Sequence, residues 1–216
     1  MSRQKNVIAL GSQERRTRER AETRQRILDA AREMFVRHGY EATTMRAIAE
    51  KIEYTPTAIY HHFENKEALL TELANGDFRL LAGAFQRIGR IEDPLERLVR
   101  TGQAYVEFAL EHPMQYQLMF MTRLPPQILR ELDEADPSKN AYGYLRHTCA
   151  DVIATGRLKP QYKDPDELAL MAWSSLHGFL SLRVVKQKAQ WISWGDPKAT
   201  ADQICTALLE GVLRRH

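Results

Sequence analysis

Hydroxyl and basic side chains recur between Thr43 and Phe63 at spacings that suit contact with nucleic acid. Thr44 and Thr55 each precede a short helical pattern, where a threonine can cap the helix and its hydroxyl can reach a phosphate. Arg46 follows the first of them, and an arginine can donate two hydrogen bonds to a guanine in the major groove. These residue types predict a binding surface in this segment.

Two helices joined by a tight turn must position those side chains. The apolar residues of the two helices recur at the spacing of one buried face: Met45, Ile48, Ala49, Ile52, Ile59 and Phe63. Thr55-Pro56 restarts the chain as a helix with threonine at the cap and proline at the first helical position. This pattern predicts a helix-turn-helix with a recognition helix of about nine residues, roughly 13 Å long. A compact helical corner that binds no DNA has the same spacing.

The sequence on both sides extends the pattern. An amphipathic helix precedes it and ends at Gly39, and Asn65 caps another helix after it. The matching residues are Arg26 to Ala31, Phe35, Gly39-Tyr40, Thr43-Thr44, Ile48-Ala49-Glu50, Tyr60-His61-His62-Phe63 and Asn65-Lys66-Glu67. Over this stretch the chain resembles the DNA-binding domain of TetR-type transcriptional regulators.

The turn departs from that family at Glu53-Tyr54, where the family usually has glycine and valine. Glycine readily adopts a backbone conformation that costs other residues free energy. We therefore expect a strained or differently shaped turn, which would alter the angle of the recognition helix. Glu53 also brings negative charge near phosphate.

The resemblance implies binding to an operator in double-stranded DNA. Phosphate contacts are predicted for hydroxyl, cap and ammonium groups: Thr44, Thr55, Tyr60 and Lys66. Contacts with base edges are predicted for Arg46, Thr57, Ala58 and His61.

Charge is concentrated at the N-terminus. The 216 residues carry a net +3, but residues 1–26 hold eight basic and three acidic side chains, and the remaining residues sum to −2. We expect residues 1–20 to form a basic, flexible arm that reaches phosphates or the minor groove. A solvated, disordered tail is the alternative.

Composition and cysteine usage predict a soluble, cytoplasmic protein. Cys149 and Cys205 form no CxxC pair, which suits a reducing compartment. The N-terminus lacks the apolar core of a signal peptide, and no uninterrupted apolar run approaches the roughly 20 residues of a membrane span. No membrane partner is expected.

The periodicity predicts an all-α fold with an N-terminal three-helix DNA-binding domain and a larger C-terminal helical domain. The predicted domains are the arm at 1–20, the helix-turn-helix domain at 21–75, and a ligand-binding and dimerisation domain at 76–216. Later helices are predicted at about 65–88, 94–111, 138–155, 165–187 and 198–213, with a loop at 133–138.

The last two long helices, at about 165–187 and 198–213, are the candidates for a homodimer. Members of the resembled family usually pair these helices into a four-helix bundle, and small residues would permit close approach: Ala172, Ser174, Ser175, Gly178 and Ser181. The alternative is that both helices bury their apolar faces within one subunit.

Methionine and aromatic residues concentrate between 105 and 121, and such residues line adaptable apolar pockets. The candidate ligand contacts are Tyr105, Phe108, Met119, Phe120, Tyr142, Trp173 and His177. Plain hydrophobic core is the alternative for each of them. Trp173, His177 and Gly178 also resemble the tryptophan–histidine–glycine (WHG) subtype of TetR C-terminal domains, in which His177 is either a polar pocket group or a packing residue.

The sequence lacks the motifs of the common catalytic and metal-binding protein classes. The chain has no GxxxxGK[ST], GxGxxG, GxSxG or HExxH pattern, so neither an enzyme nor a cofactor is expected. His61 and His62 diverge by about 100° on a helix and cannot easily share a metal ion. The acidic run at 131–136 lacks the spacing of a calcium loop.

These observations predict a dimeric, ligand-responsive repressor. By analogy with the family, the apo dimer binds a near-palindromic operator, and a small, mainly apolar effector releases it. Two alternatives stay open: a regulator whose C-terminal domain binds a protein partner or has a closed core, and a helical enzyme that uses the apolar pocket.

Overall fold

The structure, a computed structural model, describes residues 2–126, 128 and 140–214, with side chains from residue 13 onward. The regular secondary structure within these ranges is helical apart from one isolated antiparallel bridge between Leu158 and Leu213. The all-α fold class is confirmed. The described helices are α1 (Ser2–His38), α2 (Met45–Lys51), α3 (Pro56–Tyr60), α4 (Lys66–Ile88), α5 (Pro94–Glu111), α6 (Pro113–Phe120), α7 (Ala141–Ala154), α8 (Pro165–Lys186) and α9 (Pro197–Val212).

The chain divides into two compact units. The first is Met1–Ala74 with Thr122–Ile128, and the second is Asn75–Met121 with Leu129–His216. The division falls inside α4. A compact unit need not fold alone, so the domain limits at 21–75 and 76–216 stay predictions.

The N-terminal residues predicted to form a basic, flexible arm are helical from Ser2 in the structure. Ion pairs one helical turn apart explain part of this: Arg15 pairs with Glu19 at 3.5 Å, and Arg18 with Glu22 at 3.8 Å. Such pairs stabilise an exposed helix only modestly. The separate role of residues 1–20 remains a prediction.

The first unit closes around a small apolar core. The side chains of Ile27, Phe35, Ile48, Ile59 and Leu69 are fully buried there. Because these residues come from α1, α2, α3 and the start of α4, burial of their faces fixes the helices that flank the turn.

The second unit has two hydrophobic clusters. One, around Phe85, Tyr105 and Tyr116, joins α4, α5, α6, α7, α8 and α9, and the other, around Cys149 and Leu168, joins α5, α7, α8 and α9. Polar bridges tie the same helices at the surface: Arg97 of α5 to Asp151 of α7, Arg146 of α7 to Asp166 of α8, and Lys198 of α9 to Glu107 of α5.

Aspartate caps explain where three helices of the second unit begin. Asp93, Asp164 and Asp196 each accept a backbone N–H from the first turn, and a proline follows each of them. The predicted helix from about residue 138 is described only from Ala141. The predicted loop at 133–138 and the acidic run at 131–136 lie outside the described residues.

Among the described residues, α8 is long and apolar enough to cross a membrane, with a mean hydropathy of 1.3. A helix in a protein core passes the same test. Leu168, Leu176 and Leu180 of α8 are buried within the second unit, so this helix does not by itself indicate a membrane protein.

Gly83→Ala and Gly102→Ala form a matched pair of helix substitutions. A Cβ at Gly83 meets no heavy atom within 4 Å, whereas one at Gly102 lies 3.0 Å from Leu176 Cδ1 and 3.3 Å from Cys205 Sγ. Alanine is favoured over glycine in a helix by about 0.5–1 kcal/mol, so Gly83→Ala should raise the free energy of unfolding by that amount. Gly102→Ala should raise the free energy of unfolding by less, because the side chains of Leu176 and Cys205 must move to make room. Equal gains in urea denaturation would contradict the close packing of α5 against α8 and α9.

Candidate DNA-binding surface and ligand cavity

The helix-turn-helix is built from two capped helices. Thr44 Oγ1 accepts the Ala47 N–H at 3.1 Å, and Thr55 Oγ1 accepts the Ala58 N–H at 3.3 Å. The recognition helix α3 has five residues rather than the expected nine. Helical hydrogen bonds nevertheless continue beyond it, because Phe63 N–H donates to Ile59 O at 3.0 Å.

The turn between α2 and α3 holds Glu53 in the left-handed region, with φ of 61°. Glu53 N–H donates to Glu50 O at 3.2 Å, and Tyr54 N–H donates to Ala49 O at 2.9 Å. This pair of bonds is the Schellman motif, in which the position of Glu53 is usually glycine. The backbone therefore has the shape of a glycine turn, and the glutamate carries the strain expected of a residue with a Cβ.

Two arginines of α1 support this region, and neither was among the predicted site residues. Arg26 donates to Ile52 O at 3.4 Å and to Tyr54 Oη at 3.3 Å, so it contacts both flanks of the turn. Arg24 donates to His62 O at 2.7 Å, and its guanidinium lies 4.2 Å from the centre of the Phe63 ring. No sequence signal marks these contacts, because they join residues far apart in the chain.

The predicted base-reading side chains lie at the surface of the first unit. The Arg46 side chain is 80% exposed, and its Nε donates to Glu50 Oε1 at 2.9 Å. Thr57 and His61 are exposed and Ala58 is half-buried. The two terminal nitrogens of Arg46 carry four further N–H donors, so Arg46 can keep this bond and still donate two hydrogen bonds to a guanine.

The predicted phosphate contacts differ in their availability. Thr44, Thr55 and Tyr60 are exposed, although both threonine hydroxyls already accept a cap hydrogen bond. Lys66 is half-buried, and its Nζ donates to Tyr40 O at 2.8 Å over the Tyr40 ring. An ammonium has three donors, so Lys66 can keep this bond and also meet a phosphate.

The second unit contains a cavity of about 120 Å³. Six aromatic rings line it: Phe78, Phe85, Tyr105, Phe120, Tyr142 and Trp173. None of the described residues that line it carries a charge. Four predicted ligand contacts, Tyr105, Phe120, Tyr142 and Trp173, therefore lie in its wall.

The other three predicted contacts lie elsewhere. Phe108 follows Tyr105 by three positions, which turns it about 60° around α5, and it lines a separate groove with Leu80 and Glu111. Met119 is buried in the core cluster. His177 is hydrogen bonded behind the cavity wall. Ligand contact by all seven stays a prediction. Sequence reasoning missed lining residues from α4 and α9, such as Leu81 and Cys205, although the apolar spacing of α4 could have indicated the first.

A neutral hydrogen-bonded cluster backs the cavity wall. Trp173 Nε1 donates to Tyr105 Oη at 3.0 Å, and the hydroxyls of Tyr105 and Tyr116 lie 3.0 Å and 2.8 Å from His177 Nδ1. Burial lowers the pKa of His177, so the imidazole stays uncharged at neutral pH. Burial also raises the pKa of Tyr116 to about 12 and raises that of Tyr105.

No three His, Cys, Asp or Glu side chains in the described part of the chain come together as a potential metal site.

A protein-family model matches a segment of each unit. Residues 27–73 match the family model described as bacterial regulatory proteins, tetR family. Residues 98–208, just over half of the chain, match the model described as tetracyclin repressor-like, C-terminal domain. The protein belongs to the TetR family. Members of this family are DNA-binding transcriptional regulators, and its named relatives are regulators rather than enzymes.

Relatives of this TetR-family protein agree with the assignment. It is 34% identical over 89 residues to the HTH-type transcriptional regulator UidR of Escherichia coli K12, covering 41% of this chain and 40% of UidR. It is 41% identical over 69 residues to the HTH-type transcriptional repressor AcnR of Corynebacterium diphtheriae, covering 32% and 36% of the two chains. The match thus spans about two fifths of these relatives' length.

Solved structures share the fold across nearly the whole chain. A tetR-family regulatory protein from Rhodococcus RHA1 superposes with a TM-score of 0.70 at 23% identity, covering 89% of this chain and 98% of that one. At this identity the likeness shows the fold alone.

Glu53→Gly tests the strain in the turn. A left-handed conformation costs a residue with a Cβ about 1–2 kcal/mol, and glycine's extra chain entropy offsets roughly 0.5–1 kcal/mol of the relief. The variant should raise the free energy of unfolding by up to about 1.5 kcal/mol. Glu53→Gln removes the charge but keeps the Cβ, so it should change the free energy of unfolding little. An equal gain in both variants, measured by urea denaturation, would mean that charge and not backbone strain is responsible.

Proposed function

We propose that this TetR-family regulator is a repressor that binds a near-palindromic operator as a homodimer and is released by a small, mainly apolar effector. The observation that carries the proposal is the capped α2–turn–α3 unit, with its exposed Arg46, Thr57, Tyr60 and His61. That AcnR is named a repressor supports repression here. Like other regulators of the family, the protein would act in the cytoplasm, without a membrane partner.

Contacts with the operator divide into two kinds. Thr44, Thr55, Tyr60 and Lys66 would bind phosphates and set the orientation of the domain on the duplex. Arg46, Thr57, Ala58 and His61 would contact base edges and supply sequence preference.

An unpartnered face of α8 supports dimerisation. Leu170, Leu182 and Val185 are 51%, 59% and 61% exposed. At 100° per residue they fall within an arc of about 120°, and Ser174 and Gly178 lie in the same arc. Burying such a face against its copy in a partner, together with α9, would form the four-helix bundle expected from the family.

The cavity in the second unit supports effector binding. Trp173 in its wall and His177 behind that wall are joined through the Tyr105 hydroxyl, which is consistent with a place in the WHG subtype. Residues 66–74 of α4 belong to the first unit, and Phe78, Leu81 and Phe85 of the same helix line the cavity. A ligand that moves α4 would thereby alter the separation of the two recognition helices.

A thermal-shift screen followed by operator retardation tests effector release. A compound that raises the melting temperature should also weaken operator binding, and the operator should weaken the binding of that compound by the same factor. Compounds that stabilise the protein without changing operator affinity would contradict effector release.

Arg46→Ala should weaken operator binding by about tenfold or more and relax base preference at one operator position. Arg100 offers a matched control, because it also pairs with a glutamate one helical turn away but lies in the second unit. Arg100→Ala should bind the operator as the wild type does in gel retardation. If Arg46→Ala weakens binding equally for all DNA sequences, Arg46 is a phosphate contact and not a base contact.

Leu182→Glu should dissociate the dimer, because it places two like charges and an unpaired polar group in the interface. Operator affinity should then fall by about 10²-fold through lost avidity. Leu80→Glu is the control, since Leu80 is 45% exposed on α4 and outside the proposed interface. Sedimentation analysis that finds Leu182→Glu still dimeric would refute this interface.

A further inference from the structure

The buried face of α1 continues toward the N-terminus as a row of arginines. Ile27 and Ala31 are fully buried in the core of the first unit. At 100° per residue, Arg16, Arg20 and Arg24 lie with these two residues in one arc of about 80°. Because α1 extends beyond the core, this face becomes exposed and basic at Arg16 and Arg20. We call Arg16 and Arg20 the arginine row.

Arg24 shows which neighbours this face of α1 meets. Its guanidinium pairs with Glu72 of α4 and donates to His62 O at 2.7 Å, directly after the recognition helix. Burial is the main cause that lowers the pKa of His62, and the positive charge of Arg20 adds to it. Arg20 therefore lies near this end of α3. Arg16 follows one helical turn, or about 6 Å, further along α1.

The charges of the arginine row are not balanced by the protein. In the described part of the chain neither Arg16 nor Arg20 is paired with a carboxylate, and the first twelve residues contain no Asp or Glu. Arg15 and Arg18 differ, since they pair with glutamates one turn away at 3.5 Å and 3.8 Å. They also point about 140° and 160° away from the centre of the arc.

Unpaired cations beside a recognition helix suit the phosphates that border a DNA groove. A cation that neutralises a phosphate releases a condensed counterion, which favours binding. Arg16 and Arg20 can do this without leaving a carboxylate. A continuous helix also holds both guanidinium groups on one side, whereas a flexible arm would present all of its arginines alike.

We propose that Arg16 and Arg20 bind DNA phosphates as a rigid helical extension of the helix-turn-helix surface. The phosphates are those beside the groove that α3 enters, because the arginine row begins near the end of α3. The inference rests on the operator binding proposed above and adds a second contact surface to it. In place of a flexible arm, α1 contacts DNA with one side only.

The salt dependence of binding separates the two sides of α1. The logarithm of the binding constant falls with the logarithm of the salt concentration by about 0.9 for each phosphate neutralised. In the double variant Arg16→Gln/Arg20→Gln, this slope should become shallower by about 1.8 for each bound protomer, since two contacts are lost. Glutamine has nearly the helix propensity of arginine, so circular dichroism should show unchanged helix content.

The double variant Arg15→Gln/Arg18→Gln is the matched control. It removes the same charge from neighbouring turns of α1, but from the side that faces away from the arc. Its slope, measured by fluorescence anisotropy on the full chain, should equal that of the wild type. An unchanged slope with Arg16→Gln/Arg20→Gln would overturn the proposal. Equal changes in both double variants would overturn it too, because a flexible arm uses its arginines alike.

Two duplexes distinguish this inference from the function it rests on. One is a genomic fragment that the full chain retards, and the other is a scrambled duplex of the same length and composition. Phosphate contacts carry no sequence information, so Arg16→Gln/Arg20→Gln should make the slope shallower on both.

Shallower slopes with equal affinity for both duplexes would support the phosphate contacts and contradict sequence-specific operator binding. Preference for the genomic fragment with an unchanged slope would leave operator binding standing and overturn the role of the arginine row. A change confined to fragments with A·T-rich flanks would indicate reading of the minor groove and would overturn the assignment to phosphates.

Discussion

The DNA-binding surface depends on a backbone constraint at Glu53. Between Lys51 and Pro56 the chain must close α2 and start α3, and it does so with one residue at positive φ and the two hydrogen bonds of a Schellman motif. The buried faces of α2 and α3 can meet only if this turn keeps its shape. Arg26, which contacts residues on both sides of Glu53, supports a turn that lacks the usual glycine. The position of the side chains predicted to read bases therefore depends on a turn whose strained residue need not touch DNA.

In the second unit, by contrast, burial keeps every group in the cavity wall neutral. Aromatic rings from several helices leave a small space between them, and the polar atoms near it are hydrogen bonded to one another. Low polarity lowers the pKa of His177 and raises those of Tyr105 and Tyr116, so the cluster offers neutral hydrogen bonds only.

Local signals predicted much of this architecture, and long-range contacts account for what they missed. Threonine caps predicted the beginnings of α2 and α3, and prolines marked those of α5, α8 and α9, because each of these signals acts within one helical turn. A strained turn was also expected, because Glu53-Tyr54 stands where the resembled family usually has glycine and valine. Arg24 and Arg26 could not be anticipated, since their partners are distant in sequence. Among the candidate ligand residues, periodicity identified an apolar helix face but not which part of it borders empty space, so Phe108 and Met119 were grouped with Tyr105.

Footprinting tests the central claim most directly. Genomic fragments retarded by the full chain should contain a protected segment with two half-sites related by two-fold symmetry, their centres about one helical turn, or roughly 10 bp, apart or a multiple of that. Such a site would establish sequence-specific binding by a symmetric dimer through α3. Retention of all fragments alike, with no protected segment and with affinity governed by salt alone, would contradict it.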